Sequence, residues 1–223
     1  MSESSVPVLS PLEARVLAVL IEKQLTTPDY YPLTLNALVA GCNQKSSRYP
    51  VMNVGEREAL DALEALKRRT LVIESYGASG RVMRYAHNAP KVLNIGQAMT
   101  ALLAVLILRG SQTAAELRGN CDRMYQFADL SSVDAYLEDM ATRSAGALAL
   151  KLPKQPGSRE HRWTHLLSGP VAGDAAPAAP PAEAAAGDEL SALRAQVAQL
   201  SDEVAELRGL VAQLQEALRV AGS

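Results

Sequence analysis

The 223-residue sequence has few aromatic residues, only two cysteines and no long apolar run. Cys42 and Cys121 are too few for a disulfide framework, and neither has a second ligand at the spacing of a zinc site. No apolar run reaches the roughly 18 residues that cross a bilayer. The N-terminus has neither the basic nor the apolar region of a secretory signal. We therefore expect a cytoplasmic protein with no membrane segment and two buried thiols.

Catalytic signatures are missing as well. The sequence contains no glycine-rich phosphate loop, no HExxH motif and no GxSxG motif. Its three histidines do not have the spacing of metal ligands. We expect a protein that is not an enzyme and that needs no cofactor or metal.

Charge is spread unevenly along the chain, although the formal net charge is only −2. Basic and acidic residues number 10 and 9 in residues 1–89, 9 and 7 in residues 90–170, and 3 and 8 in residues 171–223. The acidic part begins with a segment of Ala, Pro and Gly that has nothing to pack. We therefore predict a flexible linker over residues 169–188.

The part before the linker repeats itself. Three segments of the first half recur in the same order in the second half: "VLAVLI" as "LLAVLI", "LNALVAGCN" as "AAELRGNCD", and "RYAH" as "RWTH". Conserved order indicates a duplicated unit, because chance matches have no reason to keep it. We expect two domains of one kind, residues 1–89 and 90–168. Two unrelated small α+β domains are the alternative.

Each repeat has the pattern of three helices followed by a β-hairpin. "SPLE" at 10–13 is a capping box with proline at the first helical position, so the first helix begins there. Thr34 can cap a second helix that ends near Cys42. A third helix is predicted from about Val54 to Arg69, followed by "LVIESY" and "RVMRY" around a glycine-rich turn. The second repeat gives helices at 97–108, 113–121 and 132–143, and strands in "LALKL" and "EHRWTH". The fold class is mainly α with small β-hairpin wings, and this order is typical of winged-helix domains.

The stretch 12–53, with "LRGSQTAAELR", "RMYQFAD" and "PGSREHRWTHLLSG" further on, closely resembles the YceH family of bacterial proteins. The resemblance covers nearly the whole chain. It implies two tandem winged-helix domains and a C-terminal helical tail, and it implies little about activity.

The third helix of a helix-turn-helix protein normally reads the major groove of DNA. If Leu60, Leu63 and Leu66 face the core, the outward side of this helix is mainly acidic, with Arg57, Glu58, Asp61, Glu64 and Arg68. The equivalent helix of the second repeat presents Asp134, Glu138 and Asp139. Carboxylates repel phosphates, so groove reading by either third helix is disfavoured.

Basic and hydrogen-bonding side chains are concentrated in the loop before the third helix and in the wings. The candidate contacts to nucleic acid or to a partner are Gln44, Lys45, Arg48, Arg81, Lys151, Lys154, Arg159 and Arg162. Lys45 and Arg48 are expected to be exposed, because their charges are costly to bury. Asn43, Gln44 and Pro50 have a structural alternative, in which they complete the end of the second helix and fix the approach to the third. Solvated lysines are the alternative for the wing.

Two functions of different class follow. The first is a dimeric DNA-binding regulator that uses the loop and the wings, and fold-level analogy favours it slightly. The second is a non-catalytic protein-interaction adaptor that uses the acidic third helices and the tail.

The tail, residues 189–220, has the heptad pattern of a coiled coil. Apolar residues occupy every a and d position, namely Leu190, Leu193, Val197, Leu200, Val204, Leu207, Val211, Leu214 and Leu218. Valine at three a positions with leucine at every d position favours a parallel two-stranded coiled coil. The alternative is that the stripe folds back on a winged helix. We predict a parallel homodimer joined through this helix.

Overall fold

Helices form most of the structure, a computed structural model that describes residues 6–76, 82–154, 157–158 and 160–169. The first half contains helices α1 (Pro11–Thr26), α2 (Leu35–Cys42) and α3 (Glu56–Arg68), then strands β1 (Val72–Tyr76) and β2 (Met83–His87). The short helix α4 (Ala89–Leu93) leads to the second half. There, α5 (Gln97–Arg109), α6 (Ala114–Cys121) and α7 (Leu130–Thr142) precede β3 (Ala149–Lys151) and β4 (Trp163–His165).

The helix starts follow the predicted caps. The Ser10 amide donates to Glu13 Oε2 at 2.8 Å, and the Glu13 amide donates to Ser10 Oγ at 3.2 Å, which confirms the capping box of α1. Thr34 and Thr113 cap α2 and α6. The third helix of the second half begins at Leu130, two residues earlier than predicted, because Asp129 caps it by accepting from the Ser132 amide.

The two hairpins are antiparallel and occupy the same place in each half. Val72 pairs with His87 in the first hairpin, and Ala149 pairs with His165 in the second. A single bridge joins each hairpin to the segment before the second helix, Leu33 with Tyr85 and Gln112 with Trp163. This architecture, mainly helical with small antiparallel hairpins, is consistent with a winged-helix-like class.

The hydrophobic core is continuous across the two halves. Helices α1 and α5 pack against each other, and the central residues of both are apolar on all sides and buried. Leu17, Val19 and Leu20 of α1 are completely buried, as are Leu103 and Leu106 of α5. Tyr85 and Trp163 are buried too, and both cysteines are buried as predicted.

One prediction about α3 is wrong. Leu60 does not face the core, and its side chain is 40% exposed. The buried stripe of α3 is formed by Ala59, Ala62, Leu63 and Leu66. These four residues have the helical spacing i, i+3, i+4 and i+7, and Leu60 lies beside this stripe rather than within it.

Several predicted features lie outside the described residues. They include the linker from residue 170 onward and the coiled coil at 189–220. Within the described ranges, no helix is both long enough and apolar enough to cross a membrane.

Candidate functional site

The polar loop at 43–53 joins α2 to α3 and packs against the end of α5. Asn43 holds both ends of the loop together: its Nδ2 donates to the Val54 carbonyl at 2.9 Å, and its Oδ1 accepts from the Val54 amide at 2.6 Å. The Tyr49 amide donates to the Leu108 carbonyl at 2.7 Å. The loop therefore lies in a seam between the two halves, and Asn43 is structural.

Two arginines are buried beneath this loop. Arg15 of α1 is 1% exposed, and its Nη1 and Nη2 donate to the carbonyls of Cys42 and Pro50 at 3.2 and 2.6 Å. Arg48 donates from Nε to the Gly41 carbonyl at 3.1 Å. Both side chains thus satisfy carbonyl groups where α2 ends and the loop turns.

Arg48 also forms a buried ion pair, so the expectation that it is exposed is wrong. Its Nη1 and Nη2 donate to the two carboxylate oxygens of Glu22 at 3.1 and 2.5 Å. The Arg48 side chain is 0% exposed and that of Glu22 is 17% exposed. A two-pronged carboxylate contact together with carbonyl acceptors compensates the cost of burying the guanidinium. Gln44 Oε1 accepts from Arg48 Nη2 at 3.4 Å, so Gln44 also belongs to this network.

A third arginine reaches the loop from the other half. Arg109, the last residue of α5, donates from Nη2 to Ser47 Oγ at 2.7 Å. It is half-buried, and it forms no ion pair with any described carboxylate. Burial lowers the pKa of Arg109, and the charge of Arg48 lowers it further, whereas Glu22 raises it. Sequence reasoning missed Arg15, Glu22 and Arg109. A signal was present for Arg15, because it stands inside an otherwise apolar run of α1.

The described wing candidates are divided between paired and free cations. Lys151 pairs with Glu138 at 2.7 Å and lies 5.2 Å from the centre of the Trp163 ring. Arg162 pairs with Glu116 at 3.0 Å and donates to the Ser111 carbonyl. Lys154 is exposed, as is Lys45 in the loop. Arg81 and Arg159 lie outside the described residues.

The third helices carry their acidic residues outward, as predicted. Glu58, Asp61 and Glu64 of α3 are exposed, together with Arg57 and Arg68. On α7, Asp134, Glu138 and Asp139 are exposed. Each helix also has an exposed leucine in an i, i+4 row with carboxylates: Leu60 stands between Glu56 and Glu64, and Leu130 precedes Asp134 and Glu138. These two rows are called the acidic ridges below.

The two hairpin histidines and the two cysteines are neutral near pH 7. Burial lowers the pKa of His87 and of His165 to about 4. Burial raises the pKa of Cys42 to about 11 and that of Cys121 to about 12. His87 Nε2 contacts Gln24 Oε1 at 2.5 Å. Among the described residues, no group of three or more His, Cys, Asp or Glu side chains could hold a metal ion.

Comparison with known proteins places the chain in a family. Residues 9–158 match the family described as "Protein of unknown function, DUF480". The chain belongs to the DUF480 family. It is 59% identical over 170 residues to a UPF0502 protein of Burkholderia pseudomallei (strain 668), with 76% of this chain and 71% of the relative covered. A UPF0502 protein of Cupriavidus metallidurans is 58% identical over 163 residues, covering 73% of this chain and 66% of that protein.

The DUF480 match contains the seam. It extends from the start of α1 through the polar loop and α5 to the turn after β3, and so includes Arg15, Glu22, Arg48 and Arg109. It ends before β4 and the acidic tail. The region of this DUF480 protein that matches the family therefore contains both the buried charge network and the two acidic ridges.

Proposed function

We propose that each half of the chain is a winged helix, and that the protein is a tandem winged-helix protein of the YceH type acting in the cytoplasm. The repeated order of three helices and a hairpin supports this assignment. Additional support comes from the antiparallel bridges of Leu33 and Gln112. Each bridge pairs one residue before the second helix with the hairpin of its own half, as a short third strand would. In both halves an arginine in or next to the second strand of the hairpin donates to the carbonyl of the residue before this bridge. Arg84 donates to Pro32 in the first half, and Arg162 donates to Ser111 in the second.

The function that the geometry supports best is a non-catalytic adaptor that binds a basic segment of a partner protein. The observation that carries this proposal is the exposure of the two acidic ridges. Glu64 and Glu138 pair with Lys67 and Lys151 at the helix surface, whereas Glu56 and Asp134 form no ion pair within the described ranges. Arg48, Lys151 and Arg162 are engaged in internal ion pairs. The acidic ridges face solvent and combine carboxylates with a leucine, which suits a lysine- or arginine-rich helix or loop that also has apolar side chains.

The test is affinity purification from the native host with the full chain and with a ridge variant. Asp134→Lys with Glu138→Lys reverses the α7 ridge, and Glu160→Lys is the matched control, because Glu160 is exposed but lies in the wing. We expect a partner that is recovered with the wild type and the control and is lost with the ridge variant. Recovery of the same partners by all three proteins would contradict the proposal.

A DNA-binding regulator remains the second candidate, because Lys45 and Lys154 are exposed in the loop and the wing. Binding of the full chain to mixed genomic DNA fragments should be measured at two salt concentrations. If this function holds, Lys45→Glu should weaken binding to all sequences and reduce the log-log salt slope by about 0.9 for each lost phosphate contact. Undetectable binding at low salt would remove this candidate.

Homodimerisation is proposed from the heptad pattern of residues 189–220. A parallel dimer would present four winged helices and would raise the effective concentration at paired target sites. Sedimentation of the full chain beside a form ending at Gly169 tests the proposal. A dimeric full chain and a monomeric shortened form are expected. A monomeric full chain at micromolar concentration, or a shortened form that is still dimeric, would refute it.

A further inference from the structure

The seam between the two halves contains more positive than negative charge. Arg15 and Arg48 are buried, Arg109 is half-buried, and Glu22 is the carboxylate that pairs with this group. Arg48 and Arg109 are close neighbours, because Arg48 Nη1 donates to the Ser47 carbonyl at 2.9 Å while Arg109 donates to the Ser47 hydroxyl. Three guanidinium groups thus share one carboxylate among the described residues. Partly buried charges of one sign require a counter-charge.

Arg109 has unused hydrogen-bonding capacity in the described structure. A guanidinium has five N–H donors in a planar fork. Within the described ranges, Arg109 uses one of them, on the Ser47 hydroxyl. The remaining donors, on a partly exposed side chain, match the oxygens of a tetrahedral oxyanion.

The loop supplies two further donors, Ser47 in contact with Arg109 and Lys45 in the same turn. Ser47 Oγ accepts from Arg109, which leaves the hydroxyl proton free to donate to another oxygen. The Ser47 backbone has φ 59°, the left-handed region that is uncommon for residues other than glycine and that recurs at binding sites. Lys45, two residues earlier, is exposed and contacts no acidic side chain within the described ranges.

From this charge excess and donor set we propose that the seam binds a phosphate group through Arg109, Ser47 and Lys45. The bound anion supplies the missing negative charge and joins the first repeat's loop to the end of α5. It therefore stabilises the contact between the two halves. The phosphate is either a free ion or a phosphate of a nucleic acid backbone, since both present the same oxygens to these donors. The inference is independent of the adaptor function.

Thermal unfolding of the full chain in sodium phosphate or sodium chloride, at matched pH and ionic strength, tests the site. Phosphate should raise Tm above the value in chloride, and ³¹P NMR titration should give a saturable Kd. Arg109→Gln should weaken phosphate binding at least about tenfold, as expected for the loss of a charge-assisted contact. Arg109→Gln should abolish most of the phosphate-induced rise in Tm, whatever its effect on stability in chloride. A structural role alone predicts an equal change in Tm with and without phosphate.

Lys91→Gln is the matched control. Lys91 is an exposed cation of α4, which precedes the first turn of α5, whereas Arg109 ends that helix about 20 Å away. It should leave the phosphate effect unchanged, and Lys45→Gln should weaken it. The proposal is overturned if neither phosphate nor DNA binds, or if binding is equal in wild type and Arg109→Gln.

A parallel titration with a labelled DNA duplex distinguishes the two sources of phosphate. Arg109-dependent binding of free phosphate without binding of the duplex identifies a free anion as the ligand. Arg109-dependent binding of the duplex without a response to free phosphate identifies the nucleic acid backbone. Both results support the seam as the site.

Discussion

Replacing Glu22 by glutamine is expected to be among the most destabilising single changes on the surface of α1. Glutamine keeps the shape of the side chain but removes the charge that faces Arg48 at 2.5 and 3.1 Å. Arg48 would remain completely buried, next to Arg15 and Arg109, with no counter-charge from α1. Removing one partner of a buried ion pair typically costs about 3–5 kcal/mol. We expect a loss of that size in the free energy of unfolding.

Equilibrium urea unfolding at 25 °C measures this loss, with Glu138→Gln as the control. Glu138 pairs with Lys151, but the two side chains are 50% and 43% exposed, so the same change there should cost less than about 1 kcal/mol. Arg48→Met should also be costly, because it leaves the Glu22 carboxylate and the Gly41 carbonyl without their donor. Equal losses, within about 0.5 kcal/mol, for Glu22→Gln and Glu138→Gln would refute the buried charge network.

Two further predictions concern the packing of α2 and the buried histidines. Gly41→Ala should destabilise the protein by about 1–3 kcal/mol in urea unfolding, because the new Cβ would lie 2.6 Å from Val19 Cγ1. Gly119→Ala is the control: a Cβ at this position would have no other atom within 4 Å, so the change should be neutral or stabilising. Stability should fall as pH decreases from about 6.5 to about 4, since in this range the unfolded chain binds protons at His87 and His165 while the folded chain, with each pKa near 4, does not. The slope should be about 1.4 kcal/mol per pH unit for each histidine, and replacing both by glutamine should flatten it; an unchanged slope would contradict their neutral burial.

The secondary structure was predictable because its determinants are local. Ser10, Thr34 and Thr113 accept hydrogen bonds from amides three residues away. The apolar composition of α1 and α5 indicates that both helices are buried. The short helix α4 was not predicted. Its five residues leave no room for a hydrophobic period, and Asn88 provides no side-chain cap.

The candidate site was much less predictable, because its pairs connect distant parts of the sequence. Arg48 meets a carboxylate 26 residues away, and Arg15 meets carbonyls 27 and 35 residues away. A basic residue in a polar loop looks the same in the sequence whether its partner is solvent, a phosphate or a buried glutamate. We expected Arg48 to be exposed because burying a charge is costly. The structure shows it buried, because Glu22 and nearby carbonyl groups compensate that cost.

The polar character of residues 43–53 follows from the position of this turn between the two repeats. The equivalent turn of the second repeat, residues 122–129, places Met124 and Phe127 in the core of its own half. The first turn cannot do the same, because it lies against the end of α5 and covers Arg15 and Arg48, whose donors need carbonyl and carboxylate acceptors. The turn at 43–53 therefore stabilises the junction between the two halves, whereas the turn at 122–129 leaves Asp122 and Arg123 exposed. None of these contacts of the first turn involves α7, so variants of the α7 ridge leave the junction intact and are the better choice for the first binding experiments.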